Sequence, residues 1–306
     1  MAGGVGTRFW PKSRKNMPKQ FLDILGNGKS FIRMTFERFS ARIAPENFLV
    51  VTNQNYKSLV LEHLPELKPE QILCEPIGRN TAPCICYAAN YLNKIAPDSL
   101  MVVTPSDHYV ADEKGFIDTL DACTEFAEAN DVLMTIGINP TRPETGYGYI
   151  QRSSAEPLSP VKCFTEKPNL ELAQTFVECG EFFWNAGIFI WKVRNIIEAF
   201  SQHLPEHHAL FSAIINDLGT EREEAAIEQV FSECKAISID YGVMERAENV
   251  YVVELCKLVA EAKRAACGND RVVKLDAAEI YTHFSHKISS FCITGPSLQM
   301  RLYPVI

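Results

Sequence analysis

Short runs of consecutive apolar residues alternate along this chain with longer segments whose apolar positions recur every three to four residues. Residues 48–52 (FLVVT), 71–74, 100–104 (LMVVT) and 132–138 are apolar and rich in β-branched side chains, the pattern of strands covered on both faces. Between them, 81–95 and 115–130 carry a helical pattern. Alternation of this kind predicts a mainly parallel sheet with helices on both faces. Farther along, 161–165 reads as a strand and 169–179 as a helix with Asn169 as its N-cap. The aromatic-rich run 182–192 is strand-like and interrupted at Asn185-Ala186-Gly187. Helical stretches then extend to about 234, followed by 237–246 and 250–254, and the composition changes near Leu255.

In such sheets ligands bind beyond the carboxyl ends of the strands. Polar residues collect at those places: Glu75-Pro76 after one predicted strand and Pro105-Ser106-Asp107-His108 after the next. Trp184 and Trp191 read as core residues, and His207-His208 as part of a solvated loop.

Composition narrows the class. With 306 residues, 46% of them hydrophobic and 22% charged, the chain can bury a sizeable core and reads as a soluble globular protein. A net charge of −8 argues against nucleic acid as a partner. There is no apolar run of membrane-spanning length and no secretory pattern ahead of the glycines, so no membrane partner is expected. The ten cysteines are scattered without a C-x-x-C, as expected for reduced, structural thiols of a cytoplasmic protein.

The acidic balance makes one basic segment conspicuous. Residues 1–22 hold Arg8, Lys12, Arg14, Lys15 and Lys19 and no acid. Gly3, Gly4 and Gly6 let the backbone turn tightly and present its N–H groups to an anion. Arg8 and Lys19 add charge-assisted bonds, one as a fork and the other as a point charge. The spacing fits neither a P-loop nor a dinucleotide turn, yet the combination reads as a phosphate site.

With these residues in hand, the chain resembles the mannose-1-phosphate guanylyltransferases, a branch of the sugar-phosphate nucleotidyltransferases. The matching motifs are AGGVGTRFWP from Ala2, PKQFL from Pro18, EPIGRNTAP from Glu75 and PSDH from Pro105. They continue with RPETGYGYI from Arg142, EKP from Glu166, FFWNAGIF from Phe182 and SIDYGVME from Ser238, and together cover about residues 1–254. The resemblance implies an α/β nucleotidyltransferase fold, a Rossmann-like mixed and mostly parallel sheet with helices on both faces. It implies attack of mannose 1-phosphate on the α-phosphorus of GTP, giving GDP-mannose and pyrophosphate, with Mg²⁺ as the cofactor. Homodimers are common among such enzymes.

The same resemblance distributes roles. Ala2, Gly3, Gly4, Gly6 and Thr7 would hold nucleotide phosphates. Arg8 and Lys19 would stabilise charge at the α-phosphate and leaving group, and Asp107 would ligate the metal. Glu75, Gly78, Arg79, Asn80 and Thr81 would line the guanine and ribose side. Gly146, Glu166, Lys167, Asn185 and Asp240 would form the sugar side, with Glu245 completing that wall. Two alternatives belong beside this expectation: a catalytically weak nucleotide-sugar-binding regulator, and a nucleotidyltransferase acting on another sugar 1-phosphate.

The chain departs from the resemblance in two places. The relatives carry an apolar strand immediately ahead of the glycine loop, so the first strand of the domain is expected to be truncated here. After the segment matching 250–254 they carry a G-W-S-D-x-G-x-W stretch with a second metal carboxylate, and this chain has only Trp10, Trp184 and Trp191. In its place 255–267 reads as an amphipathic helix, with β-like stretches at 271–275 and 288–293 and no spacing that favours Asp270 or Asp276 as a replacement ligand. The expected organisation is therefore a catalytic domain over 1–254 and a diverged segment over 255–306.

Overall fold

The computed structural model describes residues 12–255 and, as backbone, 302–305. The glycine-rich segment with Ala2, Gly3, Gly4, Gly6, Thr7 and Arg8 lies outside the described residues, as do the expectations for 256–301.

Four of the described α-helices begin at a side-chain cap. The side chain of Ser30 accepts from Arg33 N–H at the start of α1 (Phe31–Ser40), and α2 (Lys57–His63) follows. Asn80 caps α3 (Thr81–Ile95), Asp112 caps α4 (Glu113–Ala129) and Asn169 caps α5 (Leu170–Cys179), which ends at left-handed Gly180. Three more helices follow: α6 (Val193–His203), α7 (Pro205–Ala213) and α8 (Glu223–Glu233). His207 and His208 therefore sit on a helix rather than in a loop. His207 is buried against the Lys235 carbonyl at 2.8 Å, because Pro205 starts a turn that the apolar Leu210 and Phe211 draw onto the core.

Among the described residues, nine strands form two sheets. β1 (Val50–Asn53) and β2 (Ile72–Glu75) pair in parallel. The second sheet holds β3 (Leu100–Val103), β4 (Leu133–Ile138), β5 (Gly148–Arg152), β6 (Leu158–Glu166), β7 (Phe182–Lys192), β8 (Val250–Glu254) and β9 (Leu302–Val305). Its order is β4-β8-β6-β5-β7-β3-β9, and β4 also pairs with β7. Five strands thus close into a circuit.

The fold is mixed α/β with helices on both faces, and among the described residues the sheet is mixed rather than mostly parallel. Among the described pairings β1–β2, β3–β9 and β4–β8 are parallel and the other five are antiparallel. The cause is β7. Its eleven residues pair with β5 along the first half and with β3 along the second, antiparallel to both, while β4 takes the opposite edge.

Side-chain alternation in β3 and β7 divides the core. Met101, Val103, Phe189 and Trp191 face α3, α6, α7 and α8, whereas Leu100, Val102, Ile188 and Ile190 face α1, α2, α4 and α5. Trp184 and Trp191 are fully buried, as expected for core residues. Among the described residues no helix is long and apolar enough to cross a membrane.

Candidate active site

Two groups of polar residues are built at the strand ends. The first follows β3, where the chain leaves the sheet as Thr104-Pro105-Ser106-Asp107-His108. Asp107 is only 2% exposed, and one of its carboxylate oxygens forms an ion pair with Lys19 Nζ. The other oxygen, Oδ1, is buried without a hydrogen-bond partner. Leaving a buried carboxylate oxygen unmatched costs free energy, so such an orphan marks a place where a ligand completes the set. Lys19 reaches Asp107 from a short 3-10 turn, Lys19–Phe21, that follows Pro18 and is itself buried.

Helix α1 grips this loop. Thr35 Oγ1 donates to the Ser106 carbonyl at 3.3 Å, and Arg38 Nη2 donates to the His108 carbonyl at 3.4 Å. Arg38 also pairs with Glu113 at 3.5 Å and lies over the Phe116 ring. Burial lowers the Arg38 guanidinium to about 10, countered in part by Glu113, and lowers the His108 imidazole to about 4. Both therefore serve the loop near neutral pH in fixed states, Arg38 charged and His108 neutral. Sequence reading missed Thr35 and Arg38, since their partners are backbone carbonyls some seventy residues away.

Glu75 closes β2, and one of its oxygens is buried without a hydrogen-bond partner; burial pushes its carboxyl up to about 8. Beyond it Gly78 is exposed and Asn80 adopts a left-handed backbone at φ 71° while capping Thr81 N–H at 2.9 Å. The Thr81 hydroxyl accepts from Ile239 N–H at 2.7 Å, which ties the start of α3 to the segment bearing Asp240. Arg79 is turned the other way. Its guanidinium donates to the Phe231 and Ser232 carbonyls at 2.8 and 3.2 Å, at the C-terminal end of α8, where the helix dipole favours a cation.

The second group gathers Asn185, Asp240, Glu166, Lys167 and Glu245. Relative to β4, strand β7 carries two extra residues between Asn185 and Phe189, a bulge with Gly187 at φ 65°. The bulge aims Asn185: its Oδ1 accepts from Thr135 Oγ1 and Gly187 N–H, both at 3.1 Å, and its Nδ2 donates to Asp240 at 2.8 Å. Asp240 starts a π-helical turn, Asp240–Met244. Burial, and then the nearby Glu166 charge, push its carboxyl up to about 7. Glu166, at the end of β6, forms an ion pair with Lys167, and Glu245 accepts from Glu166 N–H at 3.1 Å. Gly146 is half-buried and its N–H is held by Glu144 at 3.1 Å.

Gly148, a second glycine of the same motif, touches this group. A Cβ there would stand 2.5 Å from Glu166 Oε2 and 3.4 Å from Asn185 Cβ. The antiparallel register sets Gly148 opposite Glu166, a juxtaposition that one-dimensional spacing does not record. Tyr241, whose hydroxyl donates to the Glu166 carbonyl at 3.4 Å, and Thr135 were likewise not found from sequence.

Comparison with known proteins adds to this geometry. The family profile described as Nucleotidyl transferase matches residues 1–232. A mannose-1-phosphate guanylyltransferase of Escherichia coli is 36% identical over 266 residues, covering 83% of this chain and 57% of the relative. The chain thus spans a little over half the length of that relative. Among solved structures, one described as a mannose-1-phosphate geranyltransferase from Thermus thermophilus superposes with a TM-score of 0.73 at 33% identity, covering 83% of this chain and 74% of that one. Another, described as a mannose-6-phosphate isomerase from Helicobacter pylori, gives 0.67 at 27% identity, covering 79% and 93%.

Proposed function

Because the chain belongs to the nucleotidyl transferase family, we propose that it transfers GMP from GTP to mannose 1-phosphate, forming GDP-mannose and releasing pyrophosphate. The observation that carries the reading is the buried Lys19–Asp107 pair with its unmatched carboxylate oxygen, set at the end of β3. A lysine and a carboxylate held this way suit phosphoryl chemistry, which needs charge neutralisation and in-line positioning more than covalent help.

The donor set fits a small, hard cation. Asp107 offers a hard oxygen, and Mg²⁺ is often held by one or two carboxylates, with substrate phosphates and water filling its remaining positions. Asp107 would hold it. When bound, the ion neutralises developing charge on the transferring phosphoryl group. Lys19 places its ammonium beside the same group, and Arg8 with the glycine-rich segment are assigned to the nucleotide phosphates from the sequence.

Toward the sugar, Glu166 accepts from vicinal hydroxyls, and Asn185 presents an amide whose orientation Thr135 and Gly187 fix. Asp240 backs that amide. Gly148 leaves the Glu166 carboxylate its room. Glu75, Gly78, Asn80 and Thr81 are assigned to the base and ribose, while Arg79 contributes by anchoring this loop to α8.

The test is pyrophosphate release by the purified chain with Mg²⁺, GTP and mannose 1-phosphate, beside other nucleotide and sugar-phosphate pairs. Release confined to the GTP and mannose pair is expected. Equal or faster release with another pair would reassign the substrates, and binding of GTP without release would leave a binding protein.

A further inference from the structure

Strand β9 lies far along the chain from every other described element, yet it is built into the sheet beside the phosphate side of the site. It runs parallel to β3 in the register Leu302 with Leu100 through Val305 with Val103, and it also borders β1. One edge of β3 is taken by β7, and the other is taken by β9. Because the pairing is parallel, the carboxyl end of β9 lies at the same end of the sheet as the carboxyl end of β3, where Thr104-Pro105-Ser106-Asp107 begins.

The backbone of β3 needs that second partner. All four of its residues are buried, so an unmatched N–H or C=O along either edge would carry the cost of a lost hydrogen bond. A four-residue strand with one bare edge is also free to twist and fray. The loop that follows is short: Asp107 stands four residues past Val103, and α1 holds the loop at Ser106 and His108. The contact with β1 adds a second constraint. β1 is laddered to β2, which ends at Glu75, so β9 is the strand set between the sheet that delivers Asp107 and the sheet that delivers Glu75.

We propose that Leu302–Val305 is a positioning element of the phosphate side: it completes β3, joins the two sheets, and so fixes where Asp107 projects relative to Glu75. The proposal rests on the proposed reaction for its catalytic consequence and on the strand register alone for its structural one.

Hydrogen exchange at Leu100–Val103 tests the structural part without any substrate. Alternate N–H groups of β3 point toward β7 and toward β9. In the unmodified chain all four are expected to be protected, and fast exchange at alternate residues would overturn the proposal even if no variant could be made to fold. Removing residues 302–306 is expected to speed exchange at the β9-facing pair at least tenfold while the β7-facing pair changes little. The shortened chain is also expected to lose at least tenfold in kcat for pyrophosphate release, with KM for mannose 1-phosphate within about threefold, because the sugar wall is built on other strands. Unchanged exchange after removal overturns the proposal. Faster exchange with an unaltered kcat overturns the positioning role. If the exchange pattern holds but the parent chain releases pyrophosphate with no nucleotide and sugar-phosphate pair, the strand keeps its place and the proposed reaction falls.

Discussion

Replacing Gly148 by alanine separates activity from stability more cleanly than any other single change at the sugar side. The added Cβ would meet Glu166 Oε2 at 2.5 Å and the Phe164 ring at 3.3 Å. The ring has to give only a few tenths of an ångström, but the carboxylate must retreat by about 0.9 Å to reach van der Waals separation. Gly148 is not among the residues with positive φ, so alanine is allowed there and stiffens the unfolded chain slightly. Stability should therefore change by no more than about 1 kcal/mol, a shift in thermal midpoint below about 4 °C. A carboxylate displaced by nearly an ångström no longer meets two hydroxyls at once, and a misplacement of that size costs on the order of 100-fold, or about 2.7 kcal/mol in the transition state. Steady-state pyrophosphate release should show kcat/KM for mannose 1-phosphate falling by roughly that factor, with KM for GTP moving little. A kcat/KM within about threefold of the parent at an unchanged midpoint would remove Glu166 from the sugar wall.

Further outcomes follow from the same structure. Asp107→Asn should reduce turnover to less than about a tenth and also lower the thermal midpoint, because it removes the counter-charge beside buried Lys19. Adding Lys19→Gln should return much of the stability and none of the turnover; recovery of activity would contradict both roles. Arg38→Met should cut kcat several-fold with little change in KM for GTP, and Arg38→Lys should recover part of it, since the loop bearing Asp107 loses its bond to the His108 carbonyl. Equal rates in all three proteins would leave the grip of α1 without consequence. Asp240 holds its proton up to about pH 7 in the folded protein, against 3.8 for the ordinary carboxyl. The folded state binds the extra proton between those values, so this group's contribution is most favourable below pH 4 and is lost as the pH rises toward 7. Thermal midpoints from pH 5 to 8 should show Asp240→Asn gaining on the parent as pH increases; parallel curves would show that Asp240 ionises normally.

Much of this was legible along the chain, for local reasons. The cap at Asn169 and the bounds of α3 and β7 follow from side-chain capping and from periodicity, which neighbouring residues decide among themselves. The closed circuit of strands was not legible, because the choice of partner for each edge of β7 depends on residues far away in the chain. The site divides in the same way. Lys19 with Asp107, and Asn185 with Asp240 and Glu166, are brought together as their motifs imply. Arg79, polar and adjacent to Asn80, reads as a ligand-facing cation, yet the unsatisfied carbonyls ending α8 claim it. Gly148, Thr35 and Arg38 matter through what lies across a ladder or beneath a loop, which one-dimensional spacing does not record.

β7 links the two groups of polar residues, which matters for the proposed pair of ligands. Its bulged first half carries Asn185, and its second half is laddered to β3, which leads into Asp107. Hydrogen-bonded on both edges, it is a continuous piece of backbone between the two groups. If one ligand tightens the hold on the other by some factor, the second must tighten the hold on the first by the same factor. Measured in either order, the dissociation constants of the two ligands close one thermodynamic box, and β7 is the strand that the two groups share.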